Sequence, residues 1–114
     1  VGYTREPASG STHFRGVKIV ATASAGTTIH TSQASTTLTD ILTILLYNSH
    51  TAPVRVTAEW GGTTAPDDNM AIDLAPGEFK PFVIDHGLRN SLVLKMFASV
   101  ANVVAAFVDV NVEA

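Results

Sequence analysis

The stretch that most constrains this chain is Pro53 to Met70, PVRVTAEWGGTTAPDDNM: an alternating run, a double glycine and an acidic loop. Val54, Val56, Ala58 and Trp60 fall on one side of an extended backbone, and Arg55, Thr57 and Glu59 on the other. A period of two is what a sheet with one dry and one wet face requires. Trp60 is the only tryptophan and is expected at the centre of the core. Gly61-Gly62 ends the run, because paired glycines accept positive φ and pack poorly in a ladder. Thr63 to Asn69 makes the connection, and Met70, Ile72 and Leu74 restart the alternation.

The same reading extends along the chain. Val17–Ser24 alternates weakly as a first strand, and Thr27–Thr31 follows the break at Gly26. Leu38–Tyr47 is the most apolar run: Ile41, Leu45 and Tyr47 lie on one face, and Leu42, Ile44 and Leu46 on the other. A helix competes there, but the threonines and β-branched isoleucines favour a strand. A strand dry on both faces is either covered on both sides or meets another subunit. Glu78–Asp85 carries Pro81 in mid-run, which suits an edge or a bulged strand, since proline donates nothing to a ladder. His86–Asn90 reads as a turn, with Asp85 closing it, and Ser91–Ala98 and Val103–Val112 as a final pair.

These segments predict an all-β fold, an antiparallel β-sandwich of jelly-roll or immunoglobulin-like type with roughly seven to eight strands. Residues 17–114 form the sandwich domain. Residues 1–16 lack periodicity and read as an extended N-terminal arm, in which Tyr3, Arg5, His13, Phe14 and Arg15 can dock on another surface or fold back on their own domain.

With 114 residues the chain can hide roughly two-thirds of its unfolded surface, so packing alone can hold it. That matters because it has no cysteine, which removes disulfides, thiolate nucleophiles and cysteine-ligated metals. Serine and threonine fill 22 positions and only 15% of residues are charged, a quiet surface easily buried against neighbours. A net charge of −3 argues against coating nucleic acid, although Arg5, Arg15 and Lys18 face only Glu6 in residues 1–20. No apolar run is long enough for a membrane span, and the first residues lack the layout of a signal peptide. We therefore expect a soluble protein made in a cytoplasm, with its initiator methionine trimmed.

Catalytic signals are thin. His13, His30, His50 and His86 are isolated, whereas a cupin-like metal site needs two histidines one residue apart. Asp85 and His86 are adjacent, so in an extended chain they point to opposite faces and do not form a relay. Asp67-Asp68-Asn69 offers clustered oxygens of the kind calcium takes, without the alternating spacing of a calcium loop; a turn bonded to its own backbone is the competing reading. Gly61-Gly62-Thr63-Thr64 lacks the lysine and the helix of a phosphate loop. No enzyme and no cofactor is expected.

The segments GTTIHT (26–31), LLYNSHTAPVRVTAEWGGTTAPDD (45–68) and LVLKMFASVANVVAAFVDV (92–110) resemble those of small virion structural proteins of tailed bacteriophages. The likeness spans residues 17–112, and EWGGTTAPDD is its most specific part. It implies a β-sandwich sitting on the capsid as a decoration or cement protein, bound to the major capsid protein, oligomeric with a trimer favoured, and without nucleic-acid or membrane contact. Glu59, Trp60, Gly61, Gly62, Pro66, Asp67 and Asp68 are implied as fold-defining loop positions. The expected arrangement buries the Leu42, Ile44 and Leu46 face against a second copy while the arm reaches the shell. Two alternatives stand beside it: a head fibre base, neck or tail adaptor, and a module that holds host glycans on an aromatic such as Trp60.

Overall fold

The computed structural model describes residues 2–114; Val1 lies outside the described residues. Nine strands follow in order: β1 (Tyr3–Pro7), β2 (Val17–Lys18), β3 (Thr27–Thr31), β4 (Asp40–Asn48), β5 (Val54–Trp60), β6 (Asn69–Leu74), β7 (Phe79–Leu88), β8 (Val93–Ala98) and β9 (Val104–Glu113). There is no helix among the described residues, and so none long and apolar enough to cross a membrane.

The strands form two antiparallel sheets, β1-β9-β4-β7 with β2 also on β9, and β3-β8-β5-β6. β1 and β2 pair with successive parts of the same edge of β9, at residues 109–113 and 105–106. Only the β1–β2 and β5–β6 connections stay within a sheet; every other one crosses to the opposite sheet. That winding is a jelly roll, the first of the two sandwich types expected.

Inward side chains from both sheets make one core. Ile29, Val56, Leu94 and Met96 from one sheet meet Leu42, Ile44, Leu46 and Val110 from the other, all without solvent exposure. Alternate positions along β4 are therefore buried, and Ile41, Leu45 and Tyr47 take the outer face. This overturns the assignment of Leu42, Ile44 and Leu46 to a subunit interface. Both faces of that strand are apolar, so alternation alone could not say which one turned inward.

Trp60 also departs from expectation. It packs partly buried against the margin of the core, because β5 ends there, and branched aliphatic residues hold the centre. The N-terminal segment is not a free arm along β1. Tyr3–Pro7 adds to the sheet through its backbone, with Tyr3 opposite Glu113 and Pro7 opposite Asp109, so the chain folds back on its own domain. The expected strand at 17–24 is shared between the sheets: after Lys18 the Ile19 N–H donates to Val104 O, and Ala21 O then accepts from Ala98 N–H in the other sheet.

Pro81 sits on β7, which is an edge strand and bulged: its register to β4 shifts between Leu42 and Ile44 and again between Ile44 and Leu45. Asp85 lies inside this strand with φ 51° and does not close a turn. Its N–H donates to Thr43 Oγ1 at 3.2 Å, tying the bulge to β4.

Candidate functional site

Three polar anchors hold connections that the sheets alone would leave loose. Asn48 is fully buried at the end of β4. Its Nδ2 donates to Ala52 O at 3.1 Å, Leu74 O at 3.3 Å and Ala75 O at 3.2 Å, and its Oδ1 accepts from His50 N–H at 2.9 Å. Glu59 projects from β5 on the side away from the core, yet it is buried, because the 20–26 connection lies over it. Its two oxygens accept from Ser24 Oγ–H at 2.5 Å and Gly26 N–H at 2.6 Å.

The third anchor is His30 with Asp40, both buried. His30 Nδ1 accepts the Ser9 N–H at 2.9 Å, so its proton sits on Nε2 and is donated to Asp40 Oδ2 at 2.8 Å. Gln33 Nε2–H donates to the other Asp40 oxygen at 3.0 Å. Ser9 meets the imidazole through its backbone, and its hydroxyl oxygen accepts from Thr31 N–H at 2.8 Å. The three residues thus pin the chain just after β1; the hydroxyl is not aimed at the ring as a nucleophile would be. Periodicity missed all three anchors, since an isolated polar residue reads as solvated; the resemblance alone marked Glu59 as fold-defining.

The loop after β5 is built by Asp68. Its carboxylate accepts from Thr64 N–H at 3.1 Å, its N–H donates to Thr64 O at 2.9 Å, and its carbonyl takes the Trp60 N–H at 2.6 Å. Gly61 sits at φ +83°, which favours glycine, and a Cβ on Gly62 would lie 2.5 Å from Asp68 Oδ2 and push that carboxylate aside. The Ala65–Pro66 bond is cis, and Pro66 O accepts from Asn69 N–H at 3.2 Å. Asp67 is exposed, and among the described residues no group of three His, Asp or Glu side chains gathers as a metal site.

Two surface features remain after this accounting. The first is the outer face of the β1-β9-β4-β7 sheet. Leu45 lies between Pro81 and Phe107 across the strands, and Tyr47 beside Phe79. Phe79 and Phe107 meet edge to face with centroids 5.8 Å apart. Phe79 is 55% exposed and Tyr47 39%, while Leu45 and Phe107 are half-buried. Gly16 rests on the Phe107 ring, which brings the 12–16 turn to the same face. In that turn His13 and Phe14 sit at φ 52° and 66°, and His13, Phe14 and Arg15 are exposed. Tyr3 and Arg5 are exposed on β1, where Arg5 pairs with Asp109 at 3.2 Å.

The second feature is a cavity of about 610 Å³ at one end of the sandwich. Trp60 and His86 form one side, with ring centroids 5.0 Å apart, and Trp60 Nε1–H donates to Gly87 O at 2.9 Å. Thr36, Thr39, Arg89 and Asn90 supply polar groups around it. Comparison with family models, with curated proteins and with solved structures finds no match for the chain.

Proposed function

We propose that this protein is a non-enzymatic structural component of a virion, a decoration or cement protein that self-associates on the outer capsid shell and stabilises it. The observation that carries the reading is the outer sheet face on which exposed Tyr47 and Phe79 stand beside half-buried Leu45 and Phe107. Contiguous apolar surface of this kind is characteristic of a protein contact, and aromatic residues are enriched in such contacts. The sequence likeness to small virion proteins supplies the setting. The polar anchors support it too, since each fixes a connection and none presents a reactive group.

In this arrangement the outer sheet face packs against a second copy, with a trimer favoured, and the exposed 12–16 turn beside it meets the major capsid protein. Weak contacts repeated over a shell add through multivalency. The test mixes purified protein with undecorated particles, removes unbound protein by sedimentation and counts retained copies. A number matching the shell's symmetry supports decoration. A few copies per particle would replace it with a vertex or tail adaptor, and no retention would overturn both. Phe79→Asp is expected to lower the oligomeric state in analytical ultracentrifugation and to reduce retention while leaving the fold intact; an unchanged oligomer would remove this face from the interface.

A further inference from the structure

The strand-end cavity is independent of the face assigned to self-association, and its lining has a definite chemistry. Its volume of about 610 Å³ falls within the range of small-ligand sites. One wall is an indole held on two sides, by its own N–H bond to Gly87 O and by the tilted His86 ring. A fixed aromatic surface of this kind receives a flat apolar face with little ordering cost. Around it stand two hydroxyls, Thr36 and Thr39, and the Asn90 amide.

The charge is one-sided. Arg89 lines the cavity, and no carboxylate does so among the described residues, although the chain as a whole carries −3. One guanidinium nitrogen of Arg89 donates to Thr37 O at 3.0 Å, which holds the group in place while leaving donors for a ligand. The loop that carries these groups is in an uncommon backbone conformation. Asn90 and Ser91 sit at φ 65° and 58°, held there by N–H bonds to Ser35 O and Gln33 O, both 3.0 Å. Consecutive left-handed residues outside glycine are costly and tend to mark ligand-contacting loops.

We propose that this cavity binds an acidic saccharide, a pyranose bearing a carboxylate. The apolar C–H face of the ring lies against Trp60, its carboxylate meets the free donors of Arg89, and its hydroxyls bond to Thr36, Thr39 and Asn90. A sugar fits better than a simple anion because the wall is aromatic. An acidic sugar fits better than a neutral one because the only formally charged lining group is a cation.

Trp60 is the sole tryptophan, so emission excited at wavelengths that Tyr3 and Tyr47 do not absorb reports on this cavity. The probes are glucuronic acid and N-acetylneuraminic acid, with glucose and acetate as controls, followed to tens of millimolar. A saturable emission change is expected with an acidic sugar and not with either control. Arg89→Ala should weaken it roughly tenfold or more through loss of a charge-assisted contact. Arg89→Lys keeps the charge without the two-pronged geometry and should fall between them, which preserves the test if the alanine variant folds poorly by circular dichroism. Asn90→Gly keeps the left-handed backbone and removes the amide, and should weaken binding less. No saturable change with either acidic sugar, equal response to glucose or acetate, or indifference to both Arg89 variants would overturn the proposal.

Discussion

Removing the Glu59 carboxylate tests whether the 20–26 connection depends on it. Two donors converge on this buried side chain, the Ser24 hydroxyl at 2.5 Å and the Gly26 N–H at 2.6 Å. Hydrogen bonds to a charged group contribute about 1.5–3 kcal/mol each. Ser24 is exposed and can turn to water, whereas the Gly26 N–H is half-buried and cannot move freely. Releasing the carboxylate from its desolvated position offsets part of the loss. Glu59→Ala should therefore cost about 2–4 kcal/mol. Glu59→Gln can still accept from Gly26 and donate to Ser24 Oγ, so it should cost about 1 kcal/mol. Urea unfolding at neutral pH gives both numbers, with an unchanged slope showing that the denatured state is the same. Proteolysis within residues 20–26 should accelerate in the alanine variant before global stability is lost. A cost below about 1 kcal/mol for alanine, or equal costs for the two variants, would refute the hydrogen-bond account.

Other outcomes follow from the same geometry. Ile44→Ala should lower stability by about 2–5 kcal/mol in urea unfolding, because the side chain is in the core; a stable variant defective only in self-association would return this face to an interface. Asn48→Ala removes the amide shared by the Ala52, Leu74 and Ala75 carbonyls and the acceptor of the His50 N–H, and should cost about 2–4 kcal/mol by thermal melting, with Asn48→Asp also destabilising because a carboxylate cannot donate to those carbonyls. Glu78 has its carboxyl held below the ordinary value of 4.5, first by the Ala75 N–H bond, against some desolvation, and then by Lys80. Its folded value is the lower one, so its contribution to stability is whole above pH 4.5 and fades as the pH falls through the folded value. Glu78→Gln should flatten that part of the acid stability profile, and an unaltered profile would count against it.

What the sequence made legible was whatever alternation encodes. β5 could be read from Val54 to Trp60 because apolar and polar residues take turns, and Thr27–Thr31 because Gly26 marks its start. The facing of β4 was hidden, since Ile41, Leu45 and Tyr47 are as apolar as Leu42, Ile44 and Leu46, and only the partner sheet decides which set turns inward. β1 was hidden for a different reason. Tyr3–Pro7 joins the sheet through backbone bonds to β9 and is secured by Ser9 on His30, neither of which leaves a pattern in the side chains. Glu59 sits at an outward position and reads as solvated until the 20–26 connection is seen to cover it. The cavity draws on three separate parts of the chain, around Thr36, at Trp60 and from His86 to Leu92, so no single stretch could announce it.

The position of β9 has a consequence for timing. It pairs with β1, β2 and β4, so one sheet lacks its centre until Val104–Glu113 is in place, whereas β3, β8, β5 and β6 are all made before it. During synthesis the chain carries β1 without its only partner for most of its length, and that pairing must close a loop of about a hundred residues. Phe107 arrives on the same last strand, between Leu45 and the turn at Gly16. The outer face around Leu45 is therefore incomplete until β9 joins the sheet. If that face self-associates as proposed, the contact forms only after β9 has paired.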